Sequence, residues 1–262
     1  MIFSENRSST FRDRALALAA ALIIATVPAR AAEIDAMITT AMKAAIEELA
    51  PPFERASGHA LHLVYGPSGG LARRLTGGET ADLVIVESKV LDELIRQGRV
   101  APGRTDLART AIGIAVRKGA PRPDVSSAEA LRRALLAAKS IGHTAPAGGG
   151  VTALHIEGVF AKLGIAGVVA PKVKLAAGGP NGRVSVLVSS GEAEIGLQLV
   201  SELMSNPDVE VIGMLPLELQ LTAVISAAIT PGARQVEAAQ AFIRHLAIPD
   251  ALAIYKAKGL AL

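Results

Sequence analysis

The sequence contains no cysteine and no tryptophan, and aromatic residues make up only 3% of it. The absence of cysteine excludes disulfide bonds, thiolate ligands for a zinc ion and a lipid anchor attached to a cysteine. A chain of 262 residues can bury a core that is large enough to fold without cross-links. Stability must therefore come from apolar packing, for which 50% of the residues are hydrophobic.

Motifs for catalysis and for metal binding are also missing from the sequence. There is no nucleophile elbow, no cluster of metal-ligating residues and no close pair of carboxylates. His59 and His62 lie three residues apart at the start of a predicted strand, and this spacing does not put both rings on one face. The sequence therefore predicts a protein that is not an enzyme and that holds no cofactor and no metal ion.

The charges of the sequence do not form the concentrated basic surface that nucleic acid requires. The formal net charge is +3, and the first 31 residues carry four arginines against two acidic residues. The remaining chain is therefore nearly neutral, with a net charge of +1. This balance predicts that nucleic acid is not a partner.

The first 31 residues are typical of a secretory signal peptide. Three arginines precede an apolar run over residues 15–27, interrupted only by Thr26, which is short for a permanent membrane span. Small residues follow at positions 29–31 (ARA) and suit a signal peptidase. The pattern predicts cleavage near Ala31 and a protein of the periplasm.

From residue 32 onward, segments typical of strands and of helices alternate along the chain. Residues 60–66 alternate as in a strand, and residues 81–87 form an apolar run typical of a strand that is buried on both faces. Apolar residues recur every three or four positions from Met42 to Phe53, which predicts a helix. Two prolines in this helix predict a kink or a new helix start near Ala50. The alternation as a whole predicts parallel sheets that are covered by helices on both sides.

Four loops of small residues or glycine each precede a predicted helix. They are residues 38–41 (ITTA), 66–70 (GPSGG), 147–152 (AGGGVT) and 178–182 (GGPNG). Unpaired N–H groups, the positive end of the helix dipole and nearby hydroxyls bind anions at such helix starts without a cationic partner. In open α/β sheets these loops lie at the carboxyl ends of strands, where ligands bind. The set predicts an anion site, although glycine also forms turns for purely steric reasons.

Residues 32–88 resemble the solute-binding proteins of ABC importers, specifically the molybdate-binding type. The motifs that carry the resemblance are residues 41–43 (AMK), 66–69 (GPSG) and 77–85 (GGETADLVI). A weaker resemblance extends over the rest of the chain and includes residues 239–259 (AQAFIRHLAIPDALAIYKAKG). The chain is thereby identified as a type II periplasmic binding protein.

This resemblance implies an α/β fold with two lobes, each a mainly parallel sheet flanked by helices, joined by two crossover strands. One lobe is expected to comprise residues 32–110 and 224–262, and the other residues 111–223. The crossovers are expected near residues 111–116 and 221–226. The resemblance also implies a monomer that binds a small anion, above all a molybdate- or tungstate-like oxyanion, and delivers it to an ABC permease in the inner membrane.

The resemblance also carries site residues over to this chain. Ser68 matches a serine of the family, whereas Ala41 stands beside the position of another serine and Leu199 near that of a tyrosine that contacts the anion in some members. The expected ligand-binding residues are Thr39, Thr40, Ser68, Gly69, Gly150, Val151, Thr152, Asn181 and Gly182. The two missing hydroxyls argue against molybdate more than against anion binding in general.

Several other side chains have both a functional and a structural interpretation. His143, His155 and Arg183 lie near the predicted loops, and a bidentate guanidinium would favour a carboxylate or phosphonate over a spherical oxyanion. Asp82 is predicted to be a structural hydrogen-bond acceptor, and Arg73, with its neighbour in the sequence, is predicted to lie on an exposed face that contacts the permease. The alternatives are therefore a binding protein for a carboxylate or phosphonate, or a sensor or accessory protein that transports nothing.

Overall fold

The computed structural model of the protein describes residues 32–148, 151–177 and 183–260, in which strands and helices alternate as the sequence predicts. The strands are β1 (Glu33–Thr39), β2 (Ala60–Gly66), β3 (Leu83–Glu87), β4 (Thr105–Arg117), β5 (Ile141–Thr144), β6 (Val173–Ala176), β7 (Ile195–Leu199), β8 (Val209–Met214) and β9 (Thr222–Ile229). The helices are α1 (Lys43–Ser57), α2 (Ser68–Thr76), α3 (Ser88–Arg96), α4 (Ala128–Ala137), α5 (Val151–Lys162), α6 (Ala166–Val169), α7 (Val184–Ser190), α8 (Val200–Leu203), α9 (Val236–Leu246) and α10 (Pro249–Ala257). Short 3₁₀ turns lie at Thr40–Met42, Pro146–Gly148, Ala170–Lys172 and Leu217–Leu219.

The strands of the described residues form one hydrogen-bonded path in the order β2-β1-β3-β9-β4-β7-β5-β6, and β8 pairs with β4 beside this path. Strand β4 takes part in two sheets, since residues 105–111 pair with β9 and residues 112–117 pair with β7 and β8. In the first sheet β2, β1 and β3 are parallel, and in the second sheet β6, β5 and β7 are parallel. The pairings of β9 and β4 are antiparallel. Each sheet is thus parallel away from the region where the two sheets join.

The C-terminal helices α9 and α10 pack against α1 on the first sheet. The rings of Phe53 in α1 and Phe242 in α9 lie 4.9 Å apart between their centroids, and both side chains are buried. Tyr255 of α10 is also buried, and its hydroxyl donates to the carbonyl of Leu246 over 2.7 Å. Helices α9 and α10 therefore belong to the same core as α1 and the first sheet.

Helix α1 runs without a break through both prolines, so the predicted new helix start near Ala50 is wrong. Pro51 and Pro52 are exposed, whereas Ala50 and Phe53 face the core. The carbonyl groups that lose a helical partner to the prolines belong to residues 47 and 48, which are also exposed. Water can bind these carbonyls, and the buried apolar face holds the helix together.

Asp82 is the buried acceptor that the sequence predicts. Its Oδ2 accepts the N–H of Asp35 over 2.9 Å, and its Oδ1 accepts the N–H groups of Arg234 and Gln235 over 2.6 and 3.0 Å. The side chain, which is 1% exposed, thereby joins β1, the start of β3 and the start of α9. The prediction of a structural role is confirmed.

Strand β7 passes directly beneath α7 at Gly196, where no side chain separates the two elements. A Cβ atom at this position would lie 2.5 Å from Cγ2 of Val188 and 3.0 Å from Cγ1 of Val184. Both valines are fully buried and have little room to move. We expect Gly196→Ala to lower the free energy of unfolding by about 2 kcal/mol, as overpacked cores do.

Urea denaturation followed by circular dichroism measures this loss, and Gly158→Ala is the matched control. Gly158 lies in α5, and a Cβ there meets nothing within 4 Å. Because alanine is the better helix former, the control is expected to gain up to about 1 kcal/mol. Equal stabilities for the two variants would contradict the close approach of β7 and α7.

Candidate functional site

A cavity of about 420 Å³ lies between elements that follow strands of the two sheets. We call it the inter-sheet cavity. Its lining comes from the first sheet's side through Thr40, Lys43, Ala44, Glu47 and Tyr65, and from the second sheet's side through Arg183, Ser201, Glu202 and Ser205. Thr40 follows β1 and Glu202 follows β7, so both stand beyond the carboxyl ends of strands.

Two polar atoms in the lining of this cavity have no partner among the described residues. They are the hydroxyl of Tyr65 and Oγ of Ser201, which are both buried. Burial and the nearby charge of Glu47 raise the pKa of the Tyr65 phenol, which therefore stays protonated and able to donate. Since buried polar groups almost always have a partner, the two hydroxyls point to a ligand.

A larger cavity of about 640 Å³ lies on the second sheet alone, beside residues 116–123 and 188–195. Alanine, proline and valine supply most of its lining. None of the unpartnered buried atoms of the described residues belongs to it. The inter-sheet cavity is smaller, but its unpartnered buried hydroxyls make it the better candidate for a ligand site.

A chain of side-chain hydrogen bonds crosses from one sheet to the other at the inter-sheet cavity. Thr40 Oγ1 donates to Glu202 Oε1 over 2.7 Å, and Gln198 Nε2 donates to Glu202 Oε2 over 2.7 Å. Thr144 Oγ1 donates in turn to Gln198 Oε1 over 2.6 Å. The Glu202 carboxylate is therefore held at both oxygens, by one residue from each sheet.

The surroundings of Glu202 also raise the pKa of its carboxyl group. Burial raises its pKa above the usual value, although the hydrogen bond from Thr40, the charge of Arg183 and the hydrogen bond from Gln198 oppose this rise. The net effect favours the neutral acid more than in an exposed glutamate. The cavity therefore contains a carboxyl group whose neutral form is favoured by its surroundings.

Two cationic side chains line the inter-sheet cavity. Lys43 is the first residue of α1, its Nζ lies 4.8 Å from the centroid of the Tyr65 ring, and it pairs with Glu47 one turn further on. Arg183 directly precedes α7, and its Nη1 donates to Ser205 Oγ over 3.3 Å. The cavity thus offers cations as well as neutral donors, and only the latter were expected from the glycine-rich loops.

Ser68 and Glu87 lie buried in the first sheet, outside the lining of the cavity. The N–H of Glu87 donates to Ser68 Oγ over 3.4 Å, and Glu87 Oε2 has no partner among the described residues. Burial raises the pKa of Glu87 to about 7, its own N–H opposes this, and the charge of Glu202 adds to it. The predicted ligand-binding hydroxyl of Ser68 is therefore engaged with the protein itself.

The structure brings some of the other sequence-predicted residues to the site. Thr40 lines the cavity, and Thr152 Oγ1 lies 3.5 Å from Gln198 Oε1, at the end of the hydrogen-bond chain. Thr39 is buried at the end of β1, Gly69 is half-buried in α2, and Val151 begins α5. The remaining three, Gly150, Asn181 and Gly182, lie outside the described residues.

The two candidate histidines have structural partners. His143 is buried, its Nδ1 donates to the carbonyl of Thr144 over 2.9 Å, and burial lowers its pKa. His155 Nε2 donates to the carbonyl of Leu219 over 2.7 Å. Neither lines the inter-sheet cavity. Their commoner, structural interpretation is therefore the one that the geometry favours.

The exposed arginine pair of α2 is engaged within the chain. Arg74 pairs with Glu79. Arg73 Nη2 donates to the carbonyl of Ala147, which lies just after β5, over 3.5 Å. In the described part of the chain, no group of three or more histidine, aspartate or glutamate side chains is arranged to hold a metal ion.

No single helix of that part has the length and apolar character of a membrane span. Only the pair Thr152–Lys162 and Ala166–Lys172, which is bent by 118°, has this length and apolar character when the two helices are taken together.

Comparison with known proteins places the chain among binding proteins. The family model described as bacterial extracellular solute-binding protein matches residues 34–261. An aconitate isomerase of Pseudomonas sp is 32% identical over 251 residues, which cover 92% of this chain and 93% of the isomerase. The molybdate-binding protein of Azotobacter vinelandii is 28% identical over 243 residues, or 89% of this chain and 92% of that protein.

Solved structures show the same fold. The periplasmic molybdate-binding protein of Azotobacter vinelandii superposes with a TM-score of 0.69 at 21% identity, over 87% of this chain and 98% of that one. The sulfate-binding protein SubI of Mycobacterium tuberculosis gives a TM-score of 0.70 at 16% identity, over 87% of this chain and 86% of its own. The expected two-lobed α/β fold of periplasmic binding proteins is confirmed.

Proposed function

The chain belongs to the family of bacterial extracellular solute-binding proteins, and from this membership we propose that it is an extracytoplasmic receptor that binds a small carboxylate anion in the inter-sheet cavity. The observation that carries the proposal is the lining of this cavity. It combines two cations, Lys43 and Arg183, with hydroxyl donors from both sheets. A guanidinium binds a planar carboxylate through two parallel hydrogen bonds.

A molybdate- or tungstate-like oxyanion, which the sequence favours, fits this lining less well. Such an ion only accepts hydrogen bonds, and it would face the carboxyl groups of Glu47 and Glu202 across the cavity. An organic acid with a protonated carboxyl or a hydroxyl group can instead donate to Glu202. The volume of about 420 Å³ is in the range of organic ligand sites and exceeds what a five-atom ion fills.

The relatives support the same choice of ligand class. The relative that is 32% identical over 92% of this chain is named for aconitate, a small tricarboxylate, whereas the molybdate-binding relative is 28% identical. The resemblance places two hydroxyls of a molybdate site on or beside Ala41 and near Leu199, and these two buried side chains carry none. A small organic carboxylate agrees with all of these observations.

We propose the following roles for the predicted residues. Thr40 contacts the ligand directly, because it lines the cavity. Ser68 accepts the N–H of Glu87, and Thr152 contacts Gln198. Both would therefore position a neighbouring residue and not contact the ligand themselves. The donors of the other glycine-rich loops would complete the site from the main chain.

The wider setting is also part of the proposal. Residues 1–31 would direct export to the periplasm and be removed near Ala31. The lobes would comprise residues 32–110 with 224–262, and residues 111–223, in agreement with the change of partners along β4 at residues 111 and 112. A monomer would then present its ligand to an ABC permease.

A ligand titration of the purified protein tests the proposal. Molybdate, tungstate, sulfate, phosphate, citrate and trans-aconitate are each added while the melting temperature is recorded. A ligand at 100 times its Kd stabilises the folded state by about 2.7 kcal/mol, which raises the melting temperature of a protein of this size by about 5 to 10 °C. A shift with molybdate or tungstate and none with the carboxylates would overturn the carboxylate assignment.

Lys43→Met is expected to weaken binding of the carboxylate about 10- to 100-fold, because the side chain keeps its length and loses the charge next to the anion. Isothermal titration calorimetry measures the change in Kd. Lys89→Met is the matched control, since Lys89 is exposed on α3 and does not line the cavity. Equal affinities for the two variants would place the ligand elsewhere.

A further inference from the structure

We propose that the inter-sheet cavity is also a catalytic site, in which Glu202 moves a proton between two carbon atoms of a small unsaturated carboxylate and thereby isomerises it. This inference rests on the proposed binding of a carboxylate in the same cavity. It departs from the sequence-based expectation that the protein is not an enzyme.

The first support is the way in which Glu202 is held. Its Oε1 accepts from Thr40 and its Oε2 accepts from Gln198, each over 2.7 Å, so the plane of the carboxyl group is fixed while the group lines the cavity. Glu47, the other carboxylate of the lining, pairs with Lys43 on its own helix. A fixed and accessible carboxyl group is what general acid–base catalysis requires.

The second support is the set of groups around Glu202. Lys43 and Arg183 supply the positive charge that would hold the carboxylates of the substrate. The hydroxyls of Tyr65 and Ser201 are buried in the lining with no partner among the described residues. Such preorganised donors stabilise negative charge that develops on a substrate oxygen during reaction.

The reaction that these groups support is a proton transfer that needs no oxidant and no second reactant. The Glu202 carboxylate takes a proton from a carbon atom next to the C=C bond, so that a C–H bond breaks and an O–H bond forms. The electron pair spreads over the three-carbon unit into the conjugated carboxylate, whose oxygen accepts from Tyr65 or Ser201. The carboxyl group then returns the proton to the other end of the unit. The double bond has moved, and atoms and electrons balance.

The environment of Glu202 suits both halves of this reaction. Burial raises its pKa, whereas Thr40, Arg183 and Gln198 limit the rise. The surroundings therefore favour the acid form more than in an exposed glutamate, while three neighbouring groups still support the carboxylate, and a group that serves as both base and acid needs both forms. A relative of this chain is named an isomerase of an unsaturated tricarboxylate, which agrees with the proposed substrate class.

The test uses three tricarboxylates with the purified chain. Proton NMR in D₂O follows trans-aconitate and cis-aconitate, and calorimetry measures binding of tricarballylate, which has the same carboxylates and no C=C bond. We expect each aconitate isomer to convert into the other, with deuterium entering the methylene group. We also expect tricarballylate to bind and to inhibit.

Glu202→Gln separates catalysis from binding, because glutamine keeps the shape and can still meet Thr40 but cannot take up the proton. We expect kcat to fall at least 100-fold, while the Kd of tricarballylate changes less than tenfold. Glu218→Gln is the matched control, since Glu218 is exposed and lies outside the cavity lining. Its kcat is expected to stay within twofold of that of the unmodified protein.

Failure of the two proposals would look different. Binding of tricarballylate without isomerisation, or isomerisation that survives Glu202→Gln, would overturn the catalytic role and leave the receptor in place. Absence of binding for all three tricarboxylates, with a response to molybdate, would overturn the carboxylate site and the catalytic proposal together.

Discussion

Asp82→Ala is expected to lower the free energy of unfolding by about 3 to 5 kcal/mol, the largest loss of stability that we expect from any single side chain described above. The aspartate accepts from the N–H groups of Asp35, Arg234 and Gln235 and is 1% exposed. Alanine would leave these donors without a partner, and each buried unsatisfied group costs about 1 to 3 kcal/mol. The effects overlap because all three donors meet one carboxylate.

Urea denaturation at neutral pH measures this change. Asp208→Ala is the matched control, because Asp208 is exposed and none of the hydrogen bonds above involves it. Its effect is expected to stay within about 0.5 kcal/mol. Asp82→Asn should fall between the two, since the amide keeps one acceptor oxygen and turns an NH₂ group towards a donor. A loss of less than about 1 kcal/mol for Asp82→Ala would show that the three N–H groups find other partners.

The stability of the protein should decrease as the pH rises from 5 to 8, by about 3 kcal/mol from Glu87 alone. Burial raises the pKa of this group from 4.5 to about 7, so between these values the folded state binds more protons than the unfolded state. The contribution is fully present below pH 4.5 and is lost as the pH passes 7. Each pH unit between the two pKa values contributes about 1.4 kcal/mol.

Glu87→Gln is the variant that isolates this effect. The amide is neutral at every pH and resembles the protonated acid in shape, so the variant should lack the Glu87 part of the decrease and be about 2 to 3 kcal/mol more stable than the parent at pH 8. Denaturation curves at pH 5, 6, 7 and 8 for both proteins provide the comparison. The charge of Glu202 is one cause of the raised pKa of Glu87, so the difference between the two profiles includes this coupling. Parallel pH profiles for the two proteins would contradict a neutral, buried Glu87.

Local patterns predict the elements of this fold well where the pattern is clear. Strand β2 has the predicted bounds 60–66, because alternation and a terminal glycine mark them. The apolar segment of β4 starts only after residue 110, whereas the strand begins at Thr105. Residues 105–110 are mostly polar and partly exposed, so no apolar pattern marks them. They form a strand because β9 pairs with them. Pairing with a segment more than 100 residues away leaves no local signal.

The candidate site could be predicted only in part for the same reason. Thr40 lies in a loop of small residues after a strand, which is a local sequence pattern, and its side chain lines the cavity. Its partner Glu202 is 162 residues away in the sequence and was missed. A polar residue after the apolar segment of β7 was the available signal, because ligands bind beyond the carboxyl ends of strands. Lys43 lies in the AMK motif, where it was attributed to the family resemblance and not to a binding role.

The sharing of β4 between the two sheets has a consequence for how the protein melts. Residues 105–111 and 112–117 belong to one continuous strand. The first part forms the edge of its sheet beside β9, and the second part lies between β7 and β8 in the other sheet. If either sheet came apart, one part of this strand would lose its hydrogen-bonded partners while the other part is still held in the remaining sheet. The two halves should therefore denature together in a single cooperative transition, and a fragment cut at residue 111 should fail to fold.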